Sequence, residues 1–294
     1  MGAVLFVHGW LIPALPVAGG SASSGHAAGE WEPDLDYTAD RRSDACDMRF
    51  GNAAIFSACF TTRTITLCDG ALDDPAMLDH LLFDHVIPRV LAAEVPLVLH
   101  GSLVAIGGRL AVFVGETGAG KSTIGASLHA RGHRLLGDDA VIVTEVEGAF
   151  FGEAVYPSLR LFPDSIGELL GDSVVTAPMA AYSDKRHVTA FRAAVPDTPP
   201  LPIGCIFSLS GGADAPGIRP LSARQACMAM LEQSFALDPA DVRAASGRLA
   251  AAARLASASA CFELAVPHDY ARLPEAHRLI EAAMAKPADR VNGR

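Results

Sequence analysis

The chain has 294 residues, half of them apolar, six cysteines and a formal net charge of −10. That length and apolar share suffice to bury a full core in one large domain, or in a large domain with a smaller one. The negative balance argues against nucleic acid or an anionic membrane as main partner. No run of about 18 uninterrupted apolar residues occurs, so no membrane-spanning helix is expected.

The cysteines (Cys46, Cys59, Cys68, Cys205, Cys227, Cys261) are scattered with no C-x-x-C pair. They read as core residues of a reducing compartment rather than a disulfide frame or a zinc site. The opening "MGAVLFVHGWLIPALPVAGGSA" imitates a secretion signal, yet it lacks a basic start and is interrupted by His8, Pro13 and Pro16. A cytoplasmic location is therefore expected.

Residues 3–12 read as a strand, followed by a Gly/Ser/Ala loop at 19–33. "NAAIFSACF" and "TRTITLCD" predict two strands with a tight connection. Asp74 and Pro75 then supply a cap and a first helical residue, and Pro88 is expected to bend or end that helix early. Residues 1–94 are thus expected to form a small α+β accessory domain.

From Leu97 the pattern changes to apolar strands broken by glycines, with a helix from Lys121. Further strands are predicted at 133–137, 140–146, 149–155 and 203–209, and helices at 163–170, 221–234, 238–257 and 274–285. Asp238–Pro239 reads as a helix start. This alternation predicts an α/β domain over 95–285, with a disordered tail at 286–294. There is no internal repeat.

"GETGAGKST", Gly115, Glu116, Thr117, Gly118, Ala119, Gly120, Lys121, Ser122 and Thr123, satisfies the phosphate-loop pattern G-x-x-x-x-G-K-[ST]. The apolar strand "LAVFV" enters it and the helical "STIGASLHA" leaves it. Glycines let backbone amides close around phosphate oxygens, and the helix N-terminus adds partial positive charge. Lys121 is placed to reach the β- and γ-phosphates, and the Ser122 hydroxyl to ligate magnesium. A plain glycine turn between strand and helix is the alternative, and it does not call for Gly-Lys-Ser in register.

"RGHRLLGDDAVIV" follows, with adjacent carboxylates at Asp138 and Asp139. Adjacent acids at a buried strand are costly unless a cation or a proton transfer uses them. In a parallel sheet the carboxyl end of the next strand falls beside the phosphate loop. One acid is then expected at Mg·ATP and the other at an acceptor hydroxyl. A solvated turn is the alternative reading.

The stretch "LHGSLVAIGGRLAVFVGETGAGKSTIGASLHARGHRLLGDDAV" resembles the catalytic domain of HPr kinase/phosphorylase. His-Gly, phosphate loop and Arg-Gly-His-x-x-x-x-Asp-Asp together are far more specific than the loop alone. A looser resemblance runs through "YPSLRLFP" and "SDKRHV" to the C-terminus. The resemblance implies a P-loop kinase fold of the HPr kinase type, with Asp138 as general base, Asp139 supporting magnesium with Ser122, and His100 near the phosphates and the base. His133 reads as structural. Thr123 stands where the bifunctional family has Glu, and "AVYPSLRLF" where it has Arg-Gly-Leu-Gly-Ile. The chain looks closer to the stand-alone HPr-kinase-like proteins of bacterial peptide natural-product clusters, including lasso-peptide clusters. That likeness implies ATP- and Mg²⁺-dependent phosphorylation of a peptide serine, with Arg160, Lys185 and Arg186 as candidates for gripping phosphate or a substrate carboxylate.

Three functions compete: a serine kinase acting on a peptide or small protein, a small-molecule kinase, and a nucleotide-binding sensor or assembly factor. A sensor needs Ser122 and one metal aspartate, but no second carboxylate aimed at an acceptor. Oligomeric state stays open, since the alanine-rich helices at 221–257 suit an interface between copies as well as a core.

Overall fold

The computed structural model describes residues 5–13, 37–70, 75–180, 183–192, 198–211 and 213–286. The 19–33 loop, the Asp74 cap and all but Lys286 of the expected tail lie outside these residues.

The N-terminal part is a six-stranded sheet of β1 (Leu5–Val7), β2 (Trp10–Ile12), β3 (Tyr37–Arg41), β4 (Ala45–Phe50), β5 (Ala54–Cys59) and β6 (Thr64–Gly70), in the order β1-β2-β6-β5-β4-β3. The single strand expected at 3–12 is instead a hairpin, turned at His8 and Gly9 by positive φ angles of 45° and 79°. The expected strand pair is β5 and β6. Strands β3 and β4 are hidden in the sequence by Asp40, Arg41, Asp47 and Arg49. Alternation along β4 and β5 buries Cys46, Met48, Phe50, Ala54, Phe56 and Ala58.

Helix α1 (Pro75–His80), a π-helical turn (Leu81–Val86) and α2 (Ile87–Leu91) follow one another without a break and cover that face with Met77, Leu81, Leu82, Val86 and Val90. Pro88 does not end the helix. It lacks an N–H, and its ring crowds the carbonyl four residues back, that of Asp84. The wider π turn just before it absorbs the misfit. The same apolar cluster takes in Val98, Ala140, Ile142, Val155 and Leu237, so the N-terminal sheet packs directly on the rest of the chain.

The larger part contains β7 (Leu97–Ile106), β8 (Arg109–Val114), α3 (Lys121–Ala130), β9 (Arg134–Gly137), β10 (Ala140–Val146), β11 (Ala149–Ala154), β12 (Arg160–Leu161), α4 (Pro163–Leu170), β13 (Thr176–Ala180), β14 (Ser183–Val188), α5 (Thr189–Arg192), β15 (Leu201–Ser210), β16 (Gly217–Pro220), α6 (Ala223–Glu232), α7 (Val242–Ala258), β17 (Ala260–Ala265) and α8 (Leu273–Ala285). The main sheet runs β11-β10-β7-β8-β15-β17-β16, with β9 also on β7, and β12-β14-β13 forms a separate small sheet. Strands β8, β15 and β17 are mutually parallel and apolar on both faces, as a doubly covered sheet requires. Ala111, Phe113, Cys205 and Phe207 meet Ile124, Leu128, Ala276 and Ile280 of α3 and α8. Leu110, Val112, Val114 and Ile206 face the other way, onto Ala226, Met230, Ala252 and Leu255 of α6 and α7.

Two boundaries differ from expectation. Helix α7 is capped by Asp241, whose side chain accepts from the Ala244 amide at 3.0 Å, while Asp238 and Pro239 stand in the turn before it. "SDKRHV", to which the sequence assigned no element, is strand β14. The six cysteines are free, four of them buried, and no described helix is long and apolar enough to cross a membrane.

Candidate active site

The phosphate loop joins β8 to α3. Gly120 caps α3 at φ 95°, a left-handed conformation that costs other residues dearly, and a side chain there would meet open space rather than protein. Lys121 is 7% exposed. Its Nζ donates to the carbonyls of Gly115 (2.7 Å) and Glu116 (3.0 Å), which holds the ammonium inside the loop. Burial pushes its pKa down, and the Asp138 carboxylate opposes that shift.

The aspartates reach the loop by a route other than the expected one. The next strand, β9, is not hydrogen-bonded to β8, because β7 lies between them. Residue Leu103 of β7 pairs with Gly137, His100 with Ala140, and Gly101 with Val114 of β8. The Gly101 amide also donates to the Asp139 carbonyl at 3.2 Å. Asp138 and Asp139 therefore sit at the seam between β9 and β10, opposite the end of β8 that opens into the loop. A Cβ on Gly137 would lie 2.6 Å from that of Ala154, so the chain entering the seam is held tight.

The carboxylates face different surroundings. Asp138, 2% exposed, lies beneath the loop against Ser122, and its Oδ2 is buried with no hydrogen-bond partner among the described residues. Burial raises its pKa, against the opposing pull of Ser122, Lys185 and Lys121. Asp139 lines the cleft beside Ser122, Lys121, His100 and Lys185. Its φ of 93° is a strained value for a residue with a side chain. Burial, and then the charge of Asp138, push the Asp139 pKa up to about 8, while the Ser158 hydroxyl pulls it down.

Asp139 is held at both oxygens. Arg160 Nη2 pairs with Oδ1, and the Ser158 hydroxyl lies 3.0 Å from Oδ2. That hydroxyl also lies against the Asp138 carbonyl, so its one proton serves one acceptor or the other. Arg160, 7% exposed, pairs through Nη1 with Asp84 of the π turn.

Ser122 and the orphaned Asp138 oxygen offer hard oxygen donors, which fit magnesium held by a carboxylate together with phosphate oxygens. Among the described residues no cluster of three or more His, Cys, Asp or Glu side chains offers an all-protein cage.

The cleft has a volume of about 1090 Å³ and runs from the phosphate loop toward His80 and His85 on one side and Tyr270 on the other. Of the basic candidates, Arg160 and Lys185 line it. Arg186, one residue along β14, points the other way and donates from Nε to Thr176 Oγ1 at 2.7 Å. The His100 amide donates to the Gln233 carbonyl at 2.6 Å and its ring lies 6.1 Å from that of Phe235. His133 lies against Glu281 at 3.0 Å.

Residues 91–160 match the HPr Serine kinase C-terminal domain. The matched segment holds β7, the loop, both aspartates and Arg160. HPr kinase/phosphorylase from Clostridium tetani is 47% identical over 58 residues, covering 20% of this chain and 19% of that protein. The HPr kinase/phosphorylase from Clostridium acetobutylicum is 34% identical over 111 residues, 38% of this chain and 31% of that one. The chain thus spans under a third of the length of these relatives. The structure of the Hpr(Ser) kinase/phosphatase from Coxiella burnetii gives a TM-score of 0.30 at 16% identity, over 62% of this chain and 96% of that one, a likeness too slight to carry weight.

Around the HPr-kinase-type segment the structure gathers residues that sequence reasoning passed over. Asp84 and His80 close on Arg160 from the helix, and Tyr156, in the turn after β11, donates to Asp84. One signal was present: His80 and Asp84 stand at i, i+4 among the apolar Met77, Leu78, Leu81 and Leu82.

Proposed function

We propose that this chain is an ATP/Mg²⁺-dependent kinase that phosphorylates a serine hydroxyl of a peptide or small protein. The observation that carries this reading is the pair of buried carboxylates delivered to one phosphate loop with different outlooks, Asp138 toward Ser122 and Asp139 into the cleft. A nucleotide sensor has use for the first and none for the second. The relatives' names suggest HPr as acceptor, while the stand-alone resemblance points to a precursor peptide of the lasso type. A small-molecule kinase is the alternative for the same site.

The geometry favours exchanging the roles expected of the aspartates. Asp138, against Ser122 and with an orphaned oxygen, suits the metal side. Asp139, lining the cleft, suits the acceptor side. Bound magnesium would supply charge neutralisation across the β- and γ-phosphates. Lys121 turns from the Gly115 and Glu116 carbonyls to the phosphate oxygens. The Ser158 hydroxyl swings to the Asp138 carbonyl, leaving Asp139 Oδ2 to take the acceptor's proton. The acceptor oxygen then bonds to the γ-phosphorus as the bond to the ADP oxygen breaks. A base whose pKa lies near the working pH serves this step well. His100 and Lys185 border the transferring group, and residues 1–94 form an accessory part whose helix walls the acceptor side. The chain works in the cytoplasm, where ATP and unmodified peptide are present together.

Intact-mass analysis of HPr and of candidate precursor peptides after incubation with ATP and magnesium tests the reading. A gain of one phosphate on a serine is expected. Tight ATP binding with no transfer to either acceptor class would leave the sensor reading standing instead.

A further inference from the structure

We propose that Asp84, in the helix that precedes the kinase-type segment, is a positioning residue for phosphoryl transfer, acting through Arg160 on Asp139. The inference rests on the reading above only for the role of Asp139.

Asp84, Arg160 and His80 are each at most 8% exposed, and Asp139 lies among them. Asp84 Oδ2 receives Arg160 Nη1 and His80 Nδ1, and its Oδ1 accepts the Tyr156 hydroxyl at 2.8 Å. The Tyr156 hydroxyl also lies 2.8 Å from the Phe83 carbonyl. His80 Nδ1 serves Asp84 as donor, so Arg160 Nη1, 3.1 Å from the same nitrogen, packs beside it. Arg160 Nη2 is left to hold Asp139 Oδ1.

A buried guanidinium between two carboxylates is fixed at both ends, whereas one facing a single carboxylate is free to slide onto both of its oxygens. Anchored by Asp84, Arg160 presents Nη2 to Oδ1 while the Ser158 hydroxyl meets Oδ2, the oxygen assigned to the acceptor. Without that anchor, Arg160 takes both oxygens of Asp139 and removes the proton acceptor from the cleft. The π turn is the device that delivers Asp84. Pro88 forces the widening at the carbonyl of residue 84, and widened turns of this kind recur at functional sites.

The test is a double-mutant cycle on the full chain with Asp84→Asn and Arg160→Gln, read as kcat, acceptor KM and the affinity of a fluorescent ADP. Asp84→Asn is expected to lower kcat by roughly 10–100-fold, the cost of a misplaced reacting group. Nucleotide affinity should stay within about twofold, since Asp84 lies on the far side of Arg160 from the phosphate loop, and kcat should fall more than KM rises. In the Arg160→Gln background, Asp84→Asn should have no further effect. Additive losses, or a wild-type kcat in folded Asp84→Asn, overturn the proposal. If Asp84→Asn does not fold, Tyr156→Phe takes its place in the cycle, with a smaller loss of kcat that Arg160→Gln abolishes, and additivity again sinks it. Crystal structures of wild type and variant give a reading without turnover: a rotated Arg160 contacting both Asp139 oxygens is expected, and an unmoved Arg160 refutes the clamp. A wild-type protein that transfers phosphate to nothing defeats the kinase reading alone, and the crystal comparison still decides the clamp.

Discussion

Asp138 and Asp139 are consecutive residues, yet with φ of 93° at Asp139 they meet different surroundings: Asp139 borders the cleft, held by Arg160 and Ser158, while Asp138 lies against Ser122. Their isosteric variants should therefore fail differently. Asp139→Asn should lower single-turnover transfer by roughly 10²–10⁴, the usual contribution of a positioned base, with Mg·ATP affinity nearly unchanged. Asp138→Asn should shift the magnesium requirement upward and weaken binding. Titrating both variants with magnesium and following transfer by rapid quench separates them. The opposite pattern restores Asp138 as the base.

Lys121→Ala removes the cation buried in the loop. A charge-assisted hydrogen bond contributes about 1.5–3 kcal/mol, so ATP affinity should fall by roughly 10–100-fold. Calorimetry showing unchanged affinity would remove the phosphate-loop assignment.

Lys185 and Arg186 alternate across β14, and only Lys185 lines the cleft. Lys185→Ala should lower kcat/KM about tenfold, as loss of one charged contact does. Arg186→Ala should leave transfer untouched and cost about 0.5–1.5 kcal/mol of stability through the Thr176 hydrogen bond. Equal kinetic losses in the two variants would mean that the strand's facing is misread.

His277 is buried, its Nε2 2.9 Å from Ser127 Oγ and its Nδ1 without a partner among the described residues. Burial, then the Arg131 charge, lower its pKa below the ordinary 6.5. The unfolded chain then binds a proton that the folded one refuses, so stability is full above pH 6.5 and declines as the pH falls below that value. Urea unfolding at pH 7.5 and pH 5.5 should show a smaller acid loss in His277→Gln than in wild type. Equal losses would mean that other groups set the acid sensitivity.

What the sequence determined by itself was what depends on near neighbours. The loop from Gly115 to Thr123 is legible because its conformation is local, with Gly120 at φ 95° and Lys121 opening α3. Strands β8 and β10 are legible because their runs LAVFV and AVIV are unbroken and buried. Strands β3, β4 and β14 are partly exposed and carry charged residues, so only their pairing partners make them strands. The site divides in the same way. Sequence spacing placed the two aspartates near the loop, but the insertion of β7 between β8 and β9 decided how they arrive there. The left-handed backbone at Asp139 decided that the two carboxylates meet different partners. Asp84 meets Arg160 across 76 residues of chain, and no local pattern encodes such a pair. The meeting exists because burying the helix face that carries Met77, Leu81 and Val86 against the larger part brings the Asp84 carboxylate down onto the Arg160 guanidinium. In the dry interior, each needs the other.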